Sequence, residues 1–180
     1  MGKRLECLTT ELKEFIKDQK IFFVATAMKE GKVNVSPKGM DSFRVLSDNK
    51  VIWLNLTGSG NETATHLLES DRMTIMFCAF EGKPLILRLY GHAKVFHPRD
   101  VKYEKCLSMF PAIMGSRQII EMDIDMVQTS CGMAVPFMDY KEDRNELKVY
   151  WEKQGDERIK KYWHDKNTVS IDGHETSIFE

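Results

Sequence analysis

Apolar and polar positions along this chain keep changing period, and the changes divide it into elements. Residues 8–20 place Leu8, Leu12, Phe15 and Ile16 on one side of a 3.6-residue period. Thr9 or Thr10 can cap that segment and Glu11 suits its first turn, so a helix is predicted. "IFFVATA" (21–27) is aromatic and β-branched and "KVNVSPK" (32–38) alternates; with Gly31 in the turn between them they predict a hairpin. Pro37 is expected to end the regular pairing. "VIWLNL" (51–56) predicts a third strand, entered by the polar turn "SDNK", and residues 61–69 a short helix. Two long strands, 72–80 and 85–96, are joined by "EGKP" and predict a second hairpin. Residues 97–110 read as a helix with Pro98 near its first turn. In 117–130, Ile120, Met122, Ile124 and Met126 alternate with Glu121, Asp123 and Asp125, a strand with one dry and one wet face. Residues 142–155 predict an amphipathic helix with Asp143 as N-cap and Gly155 as its stop, and a second short helix holds "ERIKKYWHDK". The tail from 167 has no period.

Strands that follow one another through short turns, without a βαβ rhythm, predict a mainly β fold with flanking helices: an antiparallel sheet closed as a barrel. The 180 residues suit one domain, 1–180, with a helical C-terminal segment from about 142. Net charge is −1, which gives no footprint for nucleic acid. No apolar run approaches the ~20 residues needed to span a bilayer. No apolar stretch follows the early basic residues, so no secretory signal is expected. Cys7, Cys78, Cys106 and Cys131 form no C-x-x-C pair, which argues against zinc and for reduced thiols in a cytoplasmic protein.

Chemistry concentrates at "NLTGSGNETATH" (55–66). A strand leaves through Gly58-Ser59-Gly60 and enters a helix at Asn61. The first N–H groups of a helix lack intrahelical partners and carry partial positive charge, and glycines let an anion approach them. Ser59, Asn61 and Thr63 add side-chain donors. The pattern is neither a P-loop nor G-x-G-x-x-G, and an ordinary capped turn also fits it. A phosphate also wants a cation; "VNVSPKGMD" (33–41) brings Ser36 and Lys38 to the end of another strand, where a solvated lysine is the plain alternative.

In that order, "FFVATAMKEGKVNVSPKGMD", "GSGNETATHLLESDRMTIMFCAF" and "LRLYGHAKV" resemble the FMN-binding split-barrel family related to pyridoxamine-phosphate oxidase, over about residues 8–130. "QTSCGMAVPFMDY" and "YWHDKNTVSIDG" resemble one branch of it. The resemblance implies a six-stranded split β-barrel, a homodimer, and FMN in the cleft between subunits. It implies phosphate binding by Ser36 and Lys38 and by Asn61 and Thr63, with Thr57 and Ser59 nearby and Glu62 within the same cofactor-binding stretch. The strand end Asn55-Leu56-Thr57 should offer backbone hydrogen bonds to the flavin's polar edge. It also implies an oxidoreductase passing hydride or electrons through flavin N5 to or from a small molecule. A non-catalytic carrier of FMN, or a relative holding a deazaflavin or haem in the same cleft, remains open. Two departures separate the chain from the oxidase itself. Glu62-Thr63 stands where the oxidase has an arginine–lysine pair, and its arginine-rich C-terminal substrate segment has no counterpart in "KYWHDKNTVSIDGHET". A glutamate beside a phosphate is tolerable if it points away or bonds backbone.

Further candidates have bland alternatives. Arg88 can contact flavin or an opposite subunit, or sit in an ion pair; Ser130 can donate to the cofactor. Arg117 can bind phosphate or stay solvated, and Cys131 reads as part of a packed turn. Tyr162, Trp163, His164, Lys166 and Asn167 either close over the cofactor or pack a helix against the barrel. His66 and His92 read as structural.

Overall fold

A computed structural model describes residues 2–180. The elements in chain order are β1 (Arg4–Leu5), α1 (Thr10–Asp18), β2 (Phe22–Thr26), β3 (Asn34–Lys38), β4 (Phe43–Ser47), β5 (Lys50–Leu56), α2 (Glu62–Glu69), β6 (Arg72–Cys78), β7 (Ile86–Phe96), α3 (Val101–Leu107), β8 (Ser116–Ser130) and α4 (Glu146–Lys166). All strand pairs are antiparallel, in the order β3-β2-β6-β7-β8-β5-β4, with β1 added to the far end of β8. The fold is therefore the mainly β, antiparallel class with flanking helices that the periodicity predicts.

The sheet rolls up, and aromatic side chains bridge where its two edges approach. Phe22 on β2 lies 4.9 Å, centroid to centroid, from Phe43 on β4, and both pack on Phe77 of β6. The roll buries Val24, Val51, Trp53, Ile75, Leu87, Leu89, Ile120, Met122 and Val127 inside, with Leu8, Leu12 and Ile16 from α1 and its approach added. α1 starts where expected: Thr9 Oγ1 accepts from the Leu12 N–H at 3.4 Å. A smaller cluster, Ile52, Leu54, Ile119, Tyr103, Cys106 and Phe110, lies on the other face under α3. β7 bends at a bulge by Gly91, where a Cβ would stand 1.9 Å from the Asp123 carbonyl oxygen, so no side chain fits.

Four expectations need correction. The described sheet has eight strands, not six. β4 is short and half-exposed at an edge, so its alternation is weak. Pro37 does not end the pairing; it sits opposite Phe23 within β3. β3 is an edge strand, so the missing N–H takes nothing from a second neighbour. The helix expected over 97–110 is confined to α3, capped at Asp100, because Asp100 Oδ2 accepts from the His97 N–H and holds the preceding turn. α4 begins after Asn145 rather than Asp143, although Gly155 interrupts it at φ 74°, ψ 170°. The aperiodic tail is packed: Asn167, Ser170, Thr176 and Ile178 are buried.

Candidate functional site

The end of β5, the glycine turn and the start of α2 meet the start of β8 and the chain after α4. Asn55 and Gln118 face each other across β5 and β8, and Asn55 Nδ2 donates to Gln118 Oε1 at 2.9 Å. Past Leu54, only β8 pairs with β5, so β4 leaves one side of the Asn55-Leu56-Thr57 backbone uncovered. Asn61 caps α2 without a side-chain bond to the helix, which leaves the first turn uncapped. Thr63 Oγ1 accepts from Asn34 Nδ2 at 3.2 Å, tying α2 to β3; Asn34 also reaches Thr26, which bonds His66. His66 is thus part of a buried scaffold.

On β3, Asn34, Ser36 and Lys38 share the side chain face that pairs with Thr26, Val24 and Phe22 of the interior. Lys38 is half-buried, and burial lowers its pKa to about 8, with the positive charge of Arg117 adding to the effect. Arg117 is only 3% exposed, and burial lowers its pKa to about 10. Its Nη1 donates to the Gly60 carbonyl at 3.0 Å and to Asn167 Oδ1 at 2.7 Å. No carboxylate among the described residues offsets either cation. Nearby His97 is buried, and burial, Arg99 and Arg117 hold its pKa down at about 4, so it is neutral.

Several buried polar atoms on these elements lack partners. Ser36 Oγ, Asn55 Oδ1, Asn61 Oδ1, Arg117 Nε and Gln118 Nε2 are buried and make no hydrogen bond within the chain. Burying such groups unpaired is costly, and a cluster of them in a native fold calls for an explanation such as a ligand. Three of the five can donate, two cations lie beside them, and a helix start is open. This donor set fits a phosphate and does not fit a metal ion.

The other candidates distribute differently. Thr57 is consumed by the fold: its N–H and Oγ1 both donate to the Gly115 carbonyl, at 2.8 and 2.7 Å. Glu62 bonds backbone, its carboxylate accepting from the Ile171 N–H at 3.1 Å while Oε1 stays beside Gly60, so its charge remains near the helix start. Ser59 is exposed and Leu56 half-buried. Arg88 and Ser130 lie together, Nη1 to Oγ 3.2 Å, but on the outer face of the sheet. β7 is three strands from β3, about 14 Å at the usual ~4.8 Å spacing, so one copy does not bring Arg88 to Lys38. Trp163 donates to Thr57 Oγ1 at 2.8 Å, which places the aromatic segment against its own glycine turn. Cys131 is an exposed free thiol, and His92 is bracketed by Asp71 and Asp125 on the surface. Gln118 and His97 were not expected here; nothing in the alternation of either strand distinguishes them from packed polar residues.

A family model described as pyridoxamine 5'-phosphate oxidase matches residues 8–131. The chain belongs to the pyridoxamine 5'-phosphate oxidase family. The family protein ustO of Aspergillus flavus is 42% identical over 140 residues, which make up 74% of this chain and 56% of ustO. The chain thus spans about half the length of the curated relative it matches. Among solved structures, a variant of HupZ from Group A Streptococcus superposes with a TM-score of 0.57 at 22% identity, over 68% of this chain and 98% of that one. An FAD-binding protein from Mesorhizobium loti gives 0.50 at 11% identity, over 72% and 97%. The last two are likenesses of fold. The family match covers β2 to β8 and hence Lys38, the glycine turn and Arg117; α4 and the tail lie outside it.

Proposed function

We propose that this chain binds FMN and serves as an oxidoreductase acting on a small molecule. The observation that carries the reading is the pair Lys38 and Arg117: two buried or half-buried cations, unneutralised, beside orphaned donors and an open helix start. A dianionic phosphate supplies what that arrangement lacks. In this reading Lys38, Arg117 and Ser36 hold the phosphate with the first N–H groups of α2, between Asn61 and Thr63. Asn55 and Gln118 present their free amide atoms to the flavin, and the uncovered backbone of Leu56 faces its polar edge. Bound there, the flavin supplies hydride or electron transfer through N5. The residues position it, exclude water and set the local charge. The name of the Mesorhizobium loti protein agrees with a flavin in this fold; FMN rather than FAD rests on the compact phosphate site.

The reading includes a homodimer in the cytoplasm. The outer sheet face supports it: Phe23, Ala25, Met76, Tyr90 and Met126 lie there half-buried, and Val35 is 63% exposed. A second copy docked on that face gives Arg88 and Ser130 a route to the other subunit's cofactor. A carrier without turnover is the second reading, favoured by one observation: neither Lys38 nor Arg117 is paired with a carboxylate that could act as a base, and Glu62, at the start of α2, is bonded to the Ile171 N–H.

The visible absorption spectrum of freshly purified protein tests the cofactor. A flavin spectrum, with FMN identified by mass in the supernatant after denaturation, is expected. Colourless protein that takes up no added FMN overturns the reading. Reduction by NAD(P)H followed by turnover on an acceptor separates enzyme from carrier.

A further inference from the structure

Asn167 is fully buried, yet it lies where the sequence has no period, beyond the residues that the family model matches. Its bonding is unusually directed. Oδ1 accepts from Arg117 Nη1 at 2.7 Å, and Nδ2 donates to the Gly58 carbonyl at 3.1 Å. Its own carbonyl accepts from Asn61 Nδ2 at 3.4 Å and from Thr176 Oγ1 at 2.5 Å. Its N–H donates to the Trp163 carbonyl at 2.9 Å, while the Trp163 indole holds Thr57. One side chain therefore ties the glycine turn to the guanidinium, and Thr176 of the tail ties down the backbone that carries it.

The chemistry of the residue type matters. A buried arginine is usually held by a carboxylate, which fixes it and cancels its charge. An amide oxygen fixes the guanidinium equally well and leaves the full positive charge for another partner. Arg117 Nε stays without a partner, so the group retains a donor as well as its charge. We propose that Asn167 is a positioning residue for phosphate recognition: it holds Arg117 against the glycine turn without neutralising it, and so sets the preference for a phosphorylated flavin over its unphosphorylated form. This rests on the FMN reading above. It gives the C-terminal segment a role in the site that Trp163, Asn167 and Thr176 share.

The test is Asn167→Asp, which changes one atom and keeps the shape. The new carboxylate pairs with Arg117 and faces the incoming anion. FMN and riboflavin are each titrated into wild type and variant by quenching of flavin fluorescence, with Tm recorded. The variant is expected to bind FMN about tenfold or more weaker, with riboflavin affinity within about twofold of wild type, while loss of the Nδ2 bond to the Gly58 carbonyl shows in Tm and falls on both flavins alike. An unchanged FMN affinity, or an equal loss for both flavins, overturns the positioning role while leaving the FMN reading standing. A wild type that binds neither flavin overturns the FMN reading itself. Should Asn167→Asp not fold, Thr176→Val removes the hydroxyl that anchors the Asn167 carbonyl. A loss of several-fold selective for FMN is then expected, and equal affinities overturn the role.

Discussion

β8 carries two buried charges, four residues apart on one face, that are handled in opposite ways. Glu121 is 7% exposed and fully answered: Lys102 Nζ lies 2.7 Å and Lys50 Nζ 3.4 Å from Oε1. Arg117 is as deeply buried, yet its partners are a carbonyl and an amide, and its charge bears on a lysine. A buried charge that the fold neutralises belongs to the architecture. One that the fold holds but leaves charged, beside a second cation, is set up for something the chain does not contain. The first cluster closes the sheet against α3; the second, at the end of the same strand, defines the site.

Substitutions should separate the two. The largest effect is expected from Lys38→Ala, which should weaken FMN binding by about 10- to 100-fold through loss of one charge-assisted contact, with little change for riboflavin. Isothermal titration of both flavins checks it. Glu121→Gln should do the reverse: about 1–2 kcal/mol of stability lost in urea unfolding, since two part-exposed lysines lose their shared partner, with FMN affinity unchanged. An effect of Glu121→Gln on FMN affinity comparable to that of Lys38→Ala would erase the distinction.

Smaller effects come from pH. The folded pKa of Lys38, about 8, lies below its ordinary 10.5, so in that window the unfolded chain holds more protons. The cofactor-free protein should therefore gain stability as pH rises from 8 towards 10.5, while FMN affinity falls as Lys38 loses its charge. Thermal unfolding and titration across that range read both. His97 has a folded pKa of about 4 against 6.5, so its contribution is present above 6.5 and is lost as pH falls through that window. His97→Asn should flatten part of the acid loss. The smallest effect expected is from Trp163→Phe, about 1 kcal/mol or less, as the bond to Thr57 disappears and the ring remains.

Much of the fold was legible because alternation and turn residues report local conformation directly. β2, β5, β7 and β8 lie within a residue or two of the expected strands, and Asn61 opens α2 as expected. Alternation does not say which face of a strand the sheet rolls inwards. Nor does it say what covers the outer face: Arg88 and Arg117 both point away from the roll, yet Arg88 lies half-buried with Ser130, whereas the glycine turn and Asn167 bury Arg117. Phe43–Ser47 escaped notice because a five-residue edge strand with half-exposed positions has little contrast. The tail escaped for another reason. Asn167 and Thr176 are fixed by hydrogen bonds to the glycine turn and to each other, and neither leaves a periodic trace. Glu62, set against phosphate by its position, is bonded by a backbone N–H more than a hundred residues away, a contact that no local pattern announces.

The central claim is that Lys38 and Arg117 are left charged for a phosphate. The most direct measurement is a paired titration of FMN and riboflavin into wild type and Lys38→Ala at pH 7. The account predicts that wild type binds FMN at least about tenfold tighter than riboflavin, and that Lys38→Ala loses most of that preference. Equal wild-type affinities, or a preference that survives in Lys38→Ala, would contradict it.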